Sequence, residues 1–425
     1  MNTTEAVAAD EREHSFGLSG AQRNALLVSL LLSFFFLNTA YAAIGGVFVP
    51  AKLALIDNAA KVDNLAVISS IGAFITLFVQ PIVGTLSDRT RSRLGRRTPW
   101  IASGAVAGGA VVILMQFANS VALVGIGWVL AQAALNVFQA PSSAVLADRV
   151  DYRHRALGSS VVGVGTTLGI SAGFALAGNL LDRMGVGYTL FGGAVIVWAI
   201  VFVLVNRDRS TTGLARADFS WKEFFLGFFR PLNFRKHPDF VWAWLGRFFM
   251  VLGYQAIQQY GLYIFTDYIG LEVNAAGRAL ATMNIIIMVT TMVASIAFGR
   301  FSDKIGRRKA FVFAASAIMI VAILIPLLVP TTAAMFLYGV IVGVGYGAYI
   351  SVDLALMIDV LPSSGDVGKD LGVLNVATNI PQTLVPILAA VLLGMFGHNY
   401  AVIFIYAIIG VILSSLCVFP IKSVR

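Results

Sequence analysis

The chain is poor in the side chains that soluble proteins expose. Only 12% of its 425 residues are Asp, Glu, Lys or Arg, about half the share of a soluble globular domain. A single cysteine, Cys417, excludes an internal disulfide and a metal cluster of thiolates. The four histidines, His14, His154, His237 and His398, all lie outside the long apolar runs, so neither an imidazole relay nor a metal cage is supported within them. No glycine-rich turn is followed by Lys and Ser or Thr, which removes a phosphate loop. The apolar runs hold no nucleophile, paired carboxylate or metal constellation, so a membrane-embedded enzyme or a receptor that moves nothing is disfavoured, and no metal or cofactor is expected. The net charge of +9 is spread over short polar intervals rather than gathered on one face, which speaks against a nucleic-acid partner.

What fills the chain instead is apolar. Apolar residues make up 58% of it and the mean hydropathy is +0.84, so the core solvent is hydrocarbon rather than water. Runs long enough to span a bilayer as helices fall near 24–49, 65–83, 100–118, 120–146, 157–181, 188–205, 238–266, 277–298, 310–328, 333–358, 371–394 and 399–420. The spacing predicts an all-α membrane protein of twelve transmembrane helices. The first run has Arg23 before it and small residues over 39–43, as a signal peptide would, but its apolar character continues to Val49 and it reads as a retained helix. Residues 1–22 are polar and mixed in charge and are expected to form a disordered tail. The one long polar interval, 207–237, carries an amphipathic patch around 221–229 and reads as a linker lying on the membrane surface. It divides the chain into bundles at 23–206 and 238–425, six helices each.

Orientation follows from the basic residues. With the N-terminus cytoplasmic, the outer segments hold Lys52, Lys61, Arg183 and Arg278, and nearly all the remaining Lys and Arg fall inside. Both termini are therefore expected in the cytoplasm.

The densest basic cluster is the hinge after span 2, Gly84-Thr-Leu-Ser-Asp-Arg-Thr-Arg-Ser-Arg-Leu-Gly-Arg-Arg-Thr-Pro-Trp100. A shorter echo, Gly299-Arg-Phe-Ser-Asp-Lys-Ile-Gly-Arg-Arg-Lys309, follows span 8. Asp88 maps to Asp303 with an offset of 215. After the four extra residues of the first hinge the offset is 211, for Arg97 to Arg308 and again for Asp148 to Asp359. The halves read as a duplication, a parallel repeat about the membrane normal.

Two six-helix halves, each with a Gly-x-x-Ser-Asp hinge ending in Gly-Arg-Arg, resemble the major facilitator superfamily over essentially the whole chain. The longer first hinge, Ser87 to Pro99, is similar to that of the sucrose-transporter and glycoside–cation symporter branch. Ala144-Val-Leu-Ala-Asp148, Ser351-Val-Asp353 and Gly368-Lys-Asp-Leu-Gly-Val-Leu-Asn375 add to the likeness. The resemblance implies secondary transport by alternating access, often coupled to a proton or sodium ion.

The hinge residues read physically as well. Asp88 and Asp303 end helices, where the macrodipole disfavours a carboxylate, so each needs a cation. Arg89, Arg93, Arg96 and Arg97 are available to the first; Lys304, Arg307 and Arg308 to the second. With Asp148 and Asp359 at the inner ends of spans 4 and 10, these are candidate inner-gate ion pairs; the alternative is anchoring to lipid headgroups, which is the reading for Arg91 and Lys309.

Polar side chains at membrane depth form stripes. Span 4 aligns Gln132, Asn136, Gln139 and Ser143; span 7 aligns Arg247, Tyr254 and Gln258; span 10 aligns Tyr346, Tyr349 and Asp353; span 11 aligns Asn375, Asn379 and Gln382; span 1 offers Asn38 and Tyr41. Such amides and phenols either glue helices together or line a wet path. Lining suits a neutral, hydroxyl-rich solute, since amides donate and accept while rings stack on sugar faces. Asp353 and Arg247 are candidates for cation coupling, or else a static pair fixing two helices. The repeat places Ser142 where the second half has Asp353, so the acid is one-sided. Gly165, Gly169 and Gly173, and Gly339 with Gly343, read as close-packing seams.

The expected function is cation-coupled uptake of a sugar or glycoside, with proton-driven efflux of small organic compounds as the alternative. The expected partners are a small-molecule substrate, a proton or sodium ion and the lipid bilayer, the chain acting as a monomer in a bacterial plasma membrane.

Overall fold

A computed structural model describes residues 19–208, 210–212, 238–305, 308–360 and 367–421. The tail, most of the linker and Arg307 lie outside them. Among the described residues, twelve helices are long and apolar enough to cross a membrane. They are α1 (Gly20–Ile56), α2 (Lys61–Arg89), α3 (Thr98–Phe117), α4 (Val121–Arg149), α5 (Tyr152–Asn179) and α6 (Leu181–Val205) in the first half. The second half has α7 (Pro238–Gln259), α8 (Val273–Ile305), α9 (Arg308–Leu328), α10 (Thr332–Asp359), α11 (Val367–Met395) and α12 (Ala401–Val418). No strand occurs among the described residues.

Local chemistry sets the helix ends. Ser19 and Gln22 cap each other's backbone N–H groups at the start of α1. Ser120 caps α4, and Pro99 opens α3 where its missing N–H is no loss. The most apolar stretch of α2 is only 28% buried within the protein. Its uncovered face, with Val67, Ile71 and Phe74, is what hydrocarbon covers.

The same helix pairs recur in both halves. In the first, α3 packs on α4 and α6, and α1 on α6; six helices later, α9 packs on α10 and α12, and α7 on α12. Glycine makes the tightest of these approaches possible. In α5, a Cβ on Gly165, Gly169 or Gly173 would collide with the carbonyl oxygens of Leu31, Phe35 and Thr39 in α1. Gly347 of α10 sits likewise against the Thr291 carbonyl of α8, and Gly343 against the Thr290 side chain.

The chain forms two compact units. One comprises Met1–Gly45, Ile75–Gly173 and Arg183–Ala217; the other comprises Gly46–Phe74, Phe174–Asp182 and Asp218–Arg425. These follow the two halves except at the ends of α1, α2 and α5 remote from the Arg-rich hinge, which belong with α7 to α12. The first division falls between Gly45 and Gly46, within a π-turn at Ile44–Phe48; a second π-turn, Ile264–Tyr268, follows α7.

Candidate functional site

The hinge after α2 is built around Arg97. Gly95 gives the chain a left-handed turn, φ +88°, which a side chain would resist. That turn delivers Arg97 to a position only 5% exposed. Its Nε donates to Asp148 Oδ2 at 2.9 Å, and its two Nη atoms reach Ser87 Oγ and Asp88 Oδ1. Arg96 Nη2 lies 2.7 Å from the other Asp148 oxygen. Asp148 thus takes both arginines of the Gly-Arg-Arg motif, and Arg97 joins the ends of α2 and α4. All of these pairs form within the first half. Arg93 is exposed. Arg91 donates to the Asp88 and Thr90 carbonyls, and Lys309 to that of Ile421, so both of these anchor residues also hold protein main chain.

Deeper in the first half, the α4 stripe meets two residues of α2. Thr76 Oγ1 donates to Gln132 Oε1 at 3.1 Å and accepts from Asn136 Nδ2 at 3.2 Å. Gln80 Nε2 donates to Asn136 Oδ1 at 2.6 Å and to Gln139 Oε1 at 3.4 Å. Asn136 is buried at the centre of this cluster, 2% exposed. The Tyr41 hydroxyl approaches its amide without completing a hydrogen bond, and the Tyr41 ring stands edge-on to Trp128 at 6.5 Å. Asn38 does not join: its amide donates back to the Phe34 carbonyl at 2.8 Å.

In the second half, α7 and α10 bring their charges together. Arg247 Nε donates to Asp353 Oδ2 at 2.8 Å and Nη2 binds the same oxygen. Tyr349 donates to the other, Oδ1, at 2.9 Å. Asp353 is 6% exposed, so its charge is neutralised rather than solvated. A cavity of about 10 Å³ adjoins the pair, lined also by Gly246 and Ser414. That is room for about one water and none for a sugar. A turn or two away, the rings of Tyr254 and Tyr346 stack at 4.2 Å, and Gln258 donates to the Tyr254 hydroxyl at 2.8 Å.

Two helical halves with buried polar clusters and no reactive centre among the described residues have counterparts among known proteins. Residues 16–364 match the family described as MFS/sugar transport protein. The chain belongs to that family. It is a transporter, not an enzyme, and an integral membrane protein. A general alpha-glucoside permease of Schizosaccharomyces pombe is 32% identical over 123 residues, a match spanning 24% of this chain and 22% of the permease. This chain therefore matches less than a quarter of that relative's length. Solved structures share the fold, two of them over nearly their whole length. A bacterial homologue of the human lysosomal transporter Spinster, inward-facing and unoccupied, superposes with a TM-score of 0.70 at 14% identity, covering 94% of this chain and 98% of its own. The nucleoside transporter NupG gives 0.72 at 12% identity, covering 93% and 100%.

The remaining positions of the transporter's expected path fall unevenly. Gln382 is exposed and Asn379 half-buried on α11. Arg308 begins α9, half-buried. The side chains of Asp303, Lys304, Asp359 and Asn375 lie outside the described residues, as does all of Arg307, so the second-half hinge has no described counterpart to the Arg97 cluster. Thr76 and Gln80 were not expected in the site. Their signal is a polar pair four residues apart on an otherwise apolar helix, next to Pro81.

Proposed function

We propose that this transporter takes up a neutral, hydroxyl-rich solute, a sugar or glycoside, by alternating access coupled to a proton. The carrying observation is the cluster of Thr76, Gln80, Gln132, Asn136 and Gln139. Five uncharged side chains offer donors and acceptors together, at the depth where an unsatisfied polar group is most costly. A solute hydroxyl can exchange with any of these contacts and leave none unpaired. The stacked Tyr254 and Tyr346 add the flat surface that a pyranose face prefers. Fixed charge is already cancelled between Arg247 and Asp353, which suits a solute without charge of its own.

Proton coupling is favoured over sodium by the same pair. A sodium ion on the Asp353 carboxylate would sit about 4 Å from the guanidinium and be repelled by roughly 4 kcal/mol at an effective dielectric near 20. A proton on Oδ2 needs no extra ligands and removes the charge that binds Arg247, freeing α7 from α10. The moving bodies are the halves 23–206 and 238–425, joined by 207–237, with the Arg97 hinge and both termini in the cytoplasm. Within the first half, Arg97 and Asp148 keep the inner ends of α2 and α4 as one block.

The test is uptake of radiolabelled glucosides and disaccharides into proteoliposomes under an imposed pH or sodium gradient. Concentrative uptake with a pH gradient alone is expected. Uptake that follows only sodium would overturn the coupling, and expulsion of amphipathic cations in place of sugar uptake would overturn the direction and substrate class.

A further inference from the structure

Asp267 accepts from three side chains, one of them Lys61 at the start of α2, the end of that helix away from the Arg-rich hinge. Lys61 Nζ donates to Oδ1 at 2.8 Å, Thr266 Oγ1 to the same oxygen at 2.9 Å, and Tyr400 OH to Oδ2 at 2.9 Å. Lys61 begins α2 in the first half of the sequence; Asp267 follows α7 and Tyr400 precedes α12 in the second. The lysine is enclosed, its side chain 11% exposed. Its Nζ lies 5.0 Å above the ring of Tyr263, whose hydroxyl donates to the Pro50 carbonyl at 2.9 Å. Two turns below, Gln259 Nε2 donates to Ser69 Oγ at 2.9 Å. Asp267 itself sits in the π-turn Ile264–Tyr268, an irregularity of the kind frequent at functional sites.

The chemistry of these contacts suits a joint that must part. Apolar side chains here would hold the segments together by burial and resist separation in water. A lysine and a carboxylate lose hydration when joined and recover it when apart, so the pair costs little to open and little to close. The Tyr400 phenol is pushed up by burial and by the Asp267 carboxylate, and stays a donor throughout the neutral range.

We propose that Lys61, Asp267 and Tyr400 form an outer clasp that shuts the mouth on the face opposite the Arg97 hinge and opens once in each transport cycle. Tyr263 is the positioning residue that seats the lysine. The inference rests on the alternating-access reading, and the labelling arm of its test needs neither the solute nor the coupling ion.

Ser70 lies below the clasp on α2, 7% exposed. In a Cys417→Ser background, Ser70→Cys is labelled by a membrane-impermeant maleimide added outside. Adding Lys61→Met or Asp267→Asn raises the labelling rate roughly tenfold, the change from a minor to a major open population. Tyr400→Phe, which removes one donor and no charge, raises it by several-fold and serves if the charge variants do not fold. Labelling unchanged in all folded variants overturns the clasp. In the same background, Lys61→Cys with Asp267→Cys joined by a short reducible cross-linker stops transport, and reduction restores it; full transport while cross-linked also overturns the clasp. If sugar uptake fails but labelling changes, the solute assignment is wrong and the clasp stands.

Discussion

Arg97 Nε and Asp148 Oδ2 meet at 2.9 Å, joining the hinge after α2 to the inner end of α4. The arginine is enclosed while its other carboxylate partner, Asp88, has a side chain 53% exposed. The two pairs therefore differ in worth. Removing Arg97 leaves Asp148 with only Arg96 and opens a gap among buried atoms; Arg97→Gln is expected to destabilise the protein by about 2–4 kcal/mol. Asp88→Asn loses a solvated pair, about 1 kcal/mol or less, and should insert normally while transporting poorly. Arg93→Gln should fall within about 0.5 kcal/mol of the parent. Thermal unfolding of the three purified variants, beside uptake rates, checks the ranking.

The α2–α4 cluster makes a sharper statement about solute. Gln80→Leu leaves the Asn136 and Gln139 oxygens without a donor and removes one that a hydroxyl could use. The apparent affinity for the transported sugar is expected to fall roughly tenfold, with expression unchanged. Asn38→Leu should change it by less than about threefold, because that amide is spent on the Phe34 carbonyl. Concentration-dependent uptake measured side by side decides between lining and glue: equal effects would place the solute elsewhere.

How far the sequence could be read depends on the range of each interaction. Helix existence is local, since twenty apolar residues suffice, and all twelve spans are present. The stripe of Gln132, Asn136 and Gln139 was legible because residues three and four apart share a face. What a stripe meets is not local. Thr76 and Gln80 come from another helix, and their pairing with α4 depends on how α2 is rotated. Asn38 shows the converse: it lies at membrane depth, yet its partner is its own helix four residues back. Lys61 and Asp267 stand 206 residues apart in short polar turns, where a lone charge reads as solvated. The π-turns leave no periodic mark either, because one added residue is lost in an apolar run. Arg247 and Asp353 were found because charges at that depth demand partners.

That pair can be divided into structure and coupling. Asp353→Asn strands Arg247 in an apolar site and is expected to cost about 3–5 kcal/mol. Replacing both, Arg247→Leu with Asp353→Leu, should restore most of the loss, since nothing charged remains buried. Stability alone would then be normal. If the carboxylate carries the proton, the double variant still exchanges labelled sugar across the membrane but does not accumulate it against a pH gradient. Full accumulation by a stable double variant would make the pair a packing device and move coupling elsewhere.

The seam between α1 and α5 gives a prediction that needs no assay of transport. Gly169 faces the Phe35 carbonyl and Gly165 that of Leu31, both main-chain atoms that cannot swing aside. Even an alanine at either position must push two helices apart, at a cost of about 1–3 kcal/mol. Gly163 lies on the same helix with nothing within 4 Å of where its Cβ would be. There the same substitution removes a flexible residue from a helix interior and is expected to stabilise by up to about 1 kcal/mol. Opposite shifts in melting temperature for Gly169→Ala and Gly163→Ala, in one detergent, would bear out the seam. Shifts of the same sign would mean that α5 does not pack on α1 through this glycine seam.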